Sequence, residues 1–120
     1  MKILYIEDSP EHIQTVQRII SYLKHELITA GTAQDGYTLL TRQHPDVILL
    51  DISLPDMNGL VLARQIRAAG FSIPIIAITA NSIEYDEAQA CEAGCNGFIV
   101  KPYTAEQLMA LLARLTPLQS

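Results

Sequence analysis

The sequence predicts an α/β fold: a doubly wound, five-stranded parallel sheet built as (βα)5, with strand order 2-1-3-4-5. Three observations predict it. Strand-like and helix-like stretches alternate five times with short connections, the pattern that places helices on both faces of a parallel sheet. The run Val47-Ile48-Leu49-Leu50 is apolar without alternation, which suits a strand buried on both faces. Five strands joined by right-handed crossovers leave few topologies, and 2-1-3-4-5 is the common doubly wound order of that size.

Each element has its own signal. Lys2 to Ile6 is β-branched and aromatic, so it reads as a strand, ended by Glu7-Asp8. Ser9-Pro10 reads as a helix cap followed by proline in the first turn, and Ile13, Val16, Ile20 and Leu23 carry the helix over about residues 10–24. Glu26 to Ala30 is a short strand. Gln34 to Gln43 is a helix weakened by Gly36 in its first turn. Val47 to Leu50 is the third strand. Pro55 and Asn58-Gly59 then supply turn chemistry. Gly59 to Ala69 is a helix, with Leu62 and Ile66 four apart and Gly70 as its stop. Ile73 to Ile78 is the fourth strand, and Pro74 must lie near its start or on an outer position. Ile83 to Ala93 is expected as the fourth helix, ended near Gly94, and Gly97 to Val100 as the fifth strand. Thr104 caps the last helix with Gln107 three residues on. Its apolar side is Leu108, Leu111, Leu112 and Leu115.

Composition bounds the class. The 120 residues, 49% of them apolar, are the size of a single domain, expected over 1–120, with a core that needs neither metal nor disulfide. There is no internal repeat or linker. The net charge of −5 argues against direct nucleic-acid binding, which needs clustered Lys and Arg. No apolar run approaches the ~20 residues of a membrane span. The opening Met1-Lys2-Ile3-Leu4-Tyr5-Ile6-Glu7-Asp8 turns acidic too soon for a signal peptide. With two cysteines and no secretory signal, a reduced, cytoplasmic setting is expected.

The chemistry gathers where strands end. Glu7 and Asp8 follow the first strand, Asp51 the third, Thr79 the fourth and Lys101 the fifth. In a parallel sheet those ends share one edge. The first and third strands also flank the point where strand order reverses, where such sheets bind ligands. Three carboxylates within about 5 Å would repel by roughly 3 kcal/mol per pair at an effective dielectric near 20, and Lys101 offsets only part of that. Clustered carboxylates with open water positions suit Mg²⁺. A metal, an ammonium and a hydroxyl give three points for one phosphoryl group, and a carboxylate can attack it in line. The reading is phosphate transfer onto an aspartate.

Taken singly, these residues have plainer readings. Glu7 and Asp8 could be a solvated helix start, Thr79 a strand-end hydroxyl, Lys101 a surface charge and Phe98 core. It is their joint placement that argues for a site. Cys91 and Cys95, four apart, read as small buried hydrophobes, since no Cys-x-x-Cys or nearby His pair suggests zinc. His12, His25 and His44 read as surface residues, with His12 set apart by its place in the first turn after the acidic pair.

The motifs Tyr5-Ile6-Glu7-Asp8, Pro45-Asp46-Val47-Ile48-Leu49-Leu50-Asp51, Leu54-Pro55-Asp56-Met57-Asn58-Gly59, Ile78-Thr79-Ala80 and Gly97-Phe98-Ile99-Val100-Lys101-Pro102 occur in this order. With them the chain resembles a response-regulator receiver domain of two-component signalling, over essentially its whole length. The resemblance implies a flavodoxin-like fold and assigns roles. Asp51 would be the phosphoacceptor. Glu7, Asp8, Asp51 and the backbone carbonyl of Ser53 would hold Mg²⁺. Thr79 and Lys101 would engage phosphoryl oxygens, and Phe98 would be the switch aromatic on a helix 4–strand 5–helix 5 face. The Lys101-Pro102 bond would be cis. Glu7 stands where Asp is more frequent, and its longer reach would allow contact with the metal through water. Ser53 and Asn81 occupy the variable places that tune acyl-phosphate hydrolysis.

The resemblance also implies partners: a histidine kinase or histidine phosphotransfer protein as donor, docking near the first helix and Pro102-Tyr103, and a downstream protein target. The chain would assist its own modification without turning over an external substrate, so no enzyme is expected. A start at Met1 and an end soon after Leu115 lead to the expectation of a stand-alone receiver, with the receiver part of a longer regulator or hybrid kinase as the alternative. Rival readings fare worse. An aspartyl phosphatase of the haloacid-dehalogenase type wants a second acid where Ser53 stands. An FMN module would not place Glu7 and Asp8 against a phosphate. A degenerate receiver, acting as a phosphate-independent interaction module, would not need the complete acidic set with Thr79 and Lys101.

Overall fold

A computed structural model describes residues 1–115, so the last five positions of the domain expected over 1–120 lie outside the described residues. The elements alternate as the sequence predicts. They are β1 (Lys2–Ile6), α1 (Pro10–Tyr22), β2 (Glu26–Ala30), α2 (Ala33–Gln43), β3 (Val47–Asp51), α3 (Gly59–Ala68), β4 (Ile75–Thr79), α4 (Glu87–Glu92), β5 (Gly97–Val100) and α5 (Ala105–Leu115). The five strands are parallel in the order β2-β1-β3-β4-β5, the flavodoxin-like arrangement.

Side chains alternate across each strand, so the sheet feeds two cores. On one face Leu4, Ile6, Ile48, Leu50, Ile75 and Ala77 meet Leu40 of α2, Leu62 and Ile66 of α3, and Ala90 of α4. On the other, Ile3, Tyr5, Val47, Leu49, Ile76, Ile78 and Ile99 meet Val16 and Ile20 of α1 and Leu108 and Leu112 of α5. β3 and β4 are buried at every position, as the unalternating apolar runs require. Such a sheet is rigid, and its carboxyl edge is a fixed frame for whatever the next residues carry.

The caps follow local chemistry. Ser9 accepts from the His12 amide with Pro10 beginning α1, and Thr104 and Gln107 cap α5 reciprocally. Gly70 and Gly94 adopt φ of 95° and 102° just past α3 and α4, so both stops fall where expected. Pro74 directly precedes β4, where its missing N–H costs nothing and its carbonyl accepts from Ile48. The Lys101-Pro102 bond is cis.

Three expectations need correcting. The fourth helix does not begin at Ile83. Asn81 Oδ1 accepts from the Ile83 and Glu84 amides at 3.2 and 3.0 Å, which turns the chain, and Ile83 is left 98% exposed. α4 starts only at Glu87, behind a capping box of Asp86 and Gln89. Cys91 is exposed on that short helix while Cys95 is buried, so only one cysteine is a core residue. Gly36 is less a weakness than a fit: a Cβ there would overlap Ile6, so α2 lies close on β1 because this residue is glycine. Smaller shifts occur at ends: α1 stops at Tyr22, α2 begins at Ala33 and β4 runs on to Thr79.

Candidate functional site

Each expected site residue sits at the carboxyl edge because its strand delivers it there. Asp51 is the last residue of β3 and pairs with Ile78, so Thr79 lies one step further toward the same edge. Glu7 leaves β1 at its end and its amide still bonds to Ala30. Lys101 follows β5, with its amide bonded to Thr79. Glu7, Asp51 and Thr79 are 2%, 4% and 0% exposed, the buried polar or charged residues among those described.

Three of these residues meet directly. Lys101 Nζ donates to Asp51 Oδ2 at 2.7 Å and to Glu7 Oε1 at 2.8 Å. Both oxygens of Asp51 are engaged, because Oδ1 accepts from the Ser53 amide at 2.7 Å. The loop that supplies this amide is held by Gly59, where a Cβ would meet Ile52 Cα at 2.8 Å and overlap the backbone of Asp51. It is held again by Asn58, which caps α3 and donates to the Tyr85 hydroxyl at 2.9 Å. Asp56 reaches back to accept from the first amides of α2, Ala33 and Gln34.

Two buried carboxylates share one ammonium, and their proton affinities separate. Burial pushes Asp51 up, the neighbouring Glu7 pushes it further, and Lys101 and the Ser53 amide pull back only in part, leaving it near 6. Burial also acts to raise Glu7, but its hydrogen bonding with Asp51, Lys101 and the Ser9 amide outweighs that and holds it near 2. Lys101 is raised, because the two carboxylates outweigh its burial. Asp51 is thus the carboxylate of the pair that holds its proton more tightly.

Other expected residues stand outside these contacts. The Asp8 side chain is exposed and forms no hydrogen bond or ion pair among the described residues. Ser53 is exposed. Thr79 Oγ1 accepts from the Asn81 amide at 2.9 Å. Phe98 is half-buried against the core beneath α4. Among the described residues no three Asp, Glu, His or Cys side chains form a ready group for a metal ion; Lys101 stands between the two buried carboxylates instead. The donor set nevertheless fits a hard divalent cation. It offers two buried carboxylates to one lysine, so its oxygen ligands carry more negative charge than Lys101 neutralises.

Two neighbours exceed their sequence reading. His12 lies 2.9 Å from Lys101 Nζ through Nδ1. An ammonium only donates, so Nδ1 accepts, and its 3.6 Å approach to Glu7 Oε1 is proximity rather than an ion pair. His12, Thr15, Ala80, Lys101, Pro102 and Tyr103 line a cleft of about 430 Å³ beside the site. Tyr5, expected only as a strand aromatic, donates its hydroxyl to Glu7 Oε1 at 3.1 Å. A signal for it was present: residues two apart along an extended chain share a face.

Comparison with known proteins identifies the family. The family model for the response regulator receiver domain matches residues 3–113. The transcriptional regulatory protein DltR of Streptococcus agalactiae is 32% identical over 120 residues, which is all of this chain and 53% of that protein. The sensor histidine kinase RcsC of Escherichia coli is 29% identical over 112 residues, 93% of this chain and 12% of the kinase. The chain thus spans about half the length of the regulators it matches. Among solved structures, the receiver domain of the sensor histidine kinase PA1611 from Pseudomonas aeruginosa, with a magnesium ion coordinated in its active site cleft, is 31% identical at a TM-score of 0.87, covering 96% of each chain. The BeF3-activated receiver domain of Klebsiella pneumoniae RstA has a TM-score of 0.91 over 98% of this chain and 100% of that one, at 24% identity, a likeness of fold.

Proposed function

The chain belongs to the response-regulator receiver family, and from that premise we propose that it is a phosphorylation switch in which Asp51 is the phosphoacceptor. The observation that carries the reading is the pairing of Lys101 Nζ with Asp51 Oδ2 and Glu7 Oε1 at 2.7 and 2.8 Å. It puts a basic carboxylate at a strand end beside the cation that would receive a transferred phosphoryl oxygen. The donor is a histidine kinase or histidine phosphotransfer protein presenting phosphohistidine. An Asp51 oxygen attacks phosphorus, the P–N bond breaks, and the histidine leaves with that electron pair. Lys101 shifts from the carboxylates to a phosphoryl oxygen, and Thr79 turns its hydroxyl from the Asn81 amide to donate to another.

Glu7, Asp8, Asp51 and the Ser53 carbonyl are the residues that would hold Mg²⁺. The ion's chemistry there is neutralisation of the charge that gathers on the phosphoryl oxygens. The acyl phosphate carries roughly −1.5 to −2 of charge at pH 7 in place of the Asp51 carboxylate, read through Thr79, Lys101 and Phe98 by the face of α4, β5 and α5. That face would dock a downstream protein target, or the phosphate would be relayed onward. The chain turns over no external substrate in this scheme, and its free cysteines suit the reducing cytoplasm. No helix among the described residues is long and apolar enough to cross a membrane.

The test is uptake from a small acyl phosphate with Mg²⁺, read by intact mass. The parent gains one phosphoryl group, and Asp51→Asn gains none. Uptake by Asp51→Asn at another aspartate would overturn the assignment.

A further inference from the structure

Glu7 is held from three directions. Oε1 accepts from Lys101 Nζ at 2.8 Å and from the Tyr5 hydroxyl at 3.1 Å, and Oε2 accepts from the Ser9 amide at 3.1 Å. These donors differ in permanence. Lys101 is shared with Asp51 and must redistribute when a cation or phosphoryl group arrives. The Ser9 amide sits in the turn that begins α1. Tyr5 alone belongs to a strand interior: it is 0% exposed and packed among Val16, Ile20, Leu49, Ile78 and Leu108. A phenol hydroxyl facing a carboxylate donates to it, since an ionised acid only accepts.

A glutamate has one more rotatable bond than an aspartate, and ordering it costs correspondingly more. A shorter carboxylate at position 7 would stop a methylene short of the phenol. The long acid and the buried hydroxyl are matched in reach, and the outer partners of a metal ligand fix its orientation.

We propose that Tyr5 is a positioning residue whose buried hydroxyl sets the orientation of the Glu7 carboxylate and, through it, the affinity of the site for a divalent cation. This rests on the reading of Glu7 as a metal ligand.

Tyr5→Phe removes the hydroxyl and keeps the ring in its packing. Mg²⁺ binding to the full, unphosphorylated chain is measured by calorimetry for the parent, Tyr5→Phe, Glu7→Asp and the double variant. Tyr5→Phe is expected to weaken Mg²⁺ binding about tenfold, the usual effect of losing an outer partner. In the Glu7→Asp background the same change should have no effect, because the shorter acid no longer reaches the phenol. Equal or tighter binding by Tyr5→Phe overturns the proposal, as does an undiminished effect in the Glu7→Asp background. A Tyr5→Phe chain that fails to fold assigns the hydroxyl to stability and also overturns it. A parent that binds no Mg²⁺ removes the metal reading of Glu7 itself, and that failure is seen before any variant is compared.

Discussion

Asp51 uses both of its oxygens, one on the Ser53 amide at 2.7 Å and one on Lys101 at 2.7 Å, yet its proton affinity rises rather than falls. Burial and the Glu7 carboxylate win over those two donors. The consequence for stability has a definite sign. A carboxylate raised from about 4 in the unfolded chain to about 6 in the fold stabilises the fold while protonated and loses that contribution as pH rises through 6. Glu7 acts oppositely: its contribution is present above about 4.5 and is lost only as pH falls toward 2, outside the Asp51 window. Asp51→Asn removes the charge and keeps one acceptor oxygen for the Ser53 amide, while Lys101 stays paired with Glu7. In metal-free buffer it should exceed the parent by about 1–3 kcal/mol at pH 7, with the gap closing between about pH 6 and pH 4. Urea titrations across that range check this, and a gap that stays flat with pH would contradict it. The identity of Asp51 was legible because a buried strand ended in an acid. Part of its environment was not, because His12 reaches Lys101 and Glu7 only once α1 has folded back beside β1.

At the scale of elements, most boundaries could be read because start and stop chemistry agreed with the apolar period. Thr104 with Gln107, Ser9 with Pro10, and Gly70 and Gly94 all act where their types suggest. The fourth helix was misread for a physical reason. Ile83 continues an apolar period toward Ala90, but it has no core to face and is 98% exposed. Asn81 competes for the local amides and turns the chain instead. The true start carries its own signature, Asp86 followed three residues later by Gln89, which an apolar period alone does not register. A helix of only 6 residues has little intrinsic stability, so its cap matters. Asp86→Ala should cost about 1 kcal/mol in chemical denaturation. It should also raise amide exchange at Gln89 and Ala90 well before exchange elsewhere in the sheet.

For the whole molecule, parallel strands turn residues remote in sequence into neighbours, and Lys101 shows what that arrangement demands. It joins the end of β5 to Glu7, 94 residues away, and to Asp51, 50 residues away, across the four neighbouring strands β1-β3-β4-β5. That convergence could be read from the sequence, since every strand's carboxyl end must lie on one edge. The direct carboxylate–ammonium contacts could not, because side-chain reach depends on the twist and on the Lys101-Pro102 turn. The pair differs in kind from Arg64–Glu92, whose side chains are 55% and 80% exposed and contribute little through solvent screening. Lys101 is 14% exposed, and its partners are 2% and 5% exposed. Removing the cation of such a buried set leaves both carboxylates unpaired, and breaking a buried pair in this way typically costs about 3–5 kcal/mol. Lys101→Met keeps the aliphatic stem and deletes the cation. It should lose stability of that order at pH 7 in metal-free buffer. The loss should shrink at pH 5, because without the ammonium both carboxylates take up protons more readily and neutrality replaces repulsion. Added Mg²⁺ should then stabilise Lys101→Met by more degrees than it stabilises the parent, since the ion restores the missing charge. Melting curves at the two pH values, with and without Mg²⁺, decide it: a loss independent of pH and of Mg²⁺ would mean that Lys101 contributes packing rather than charge.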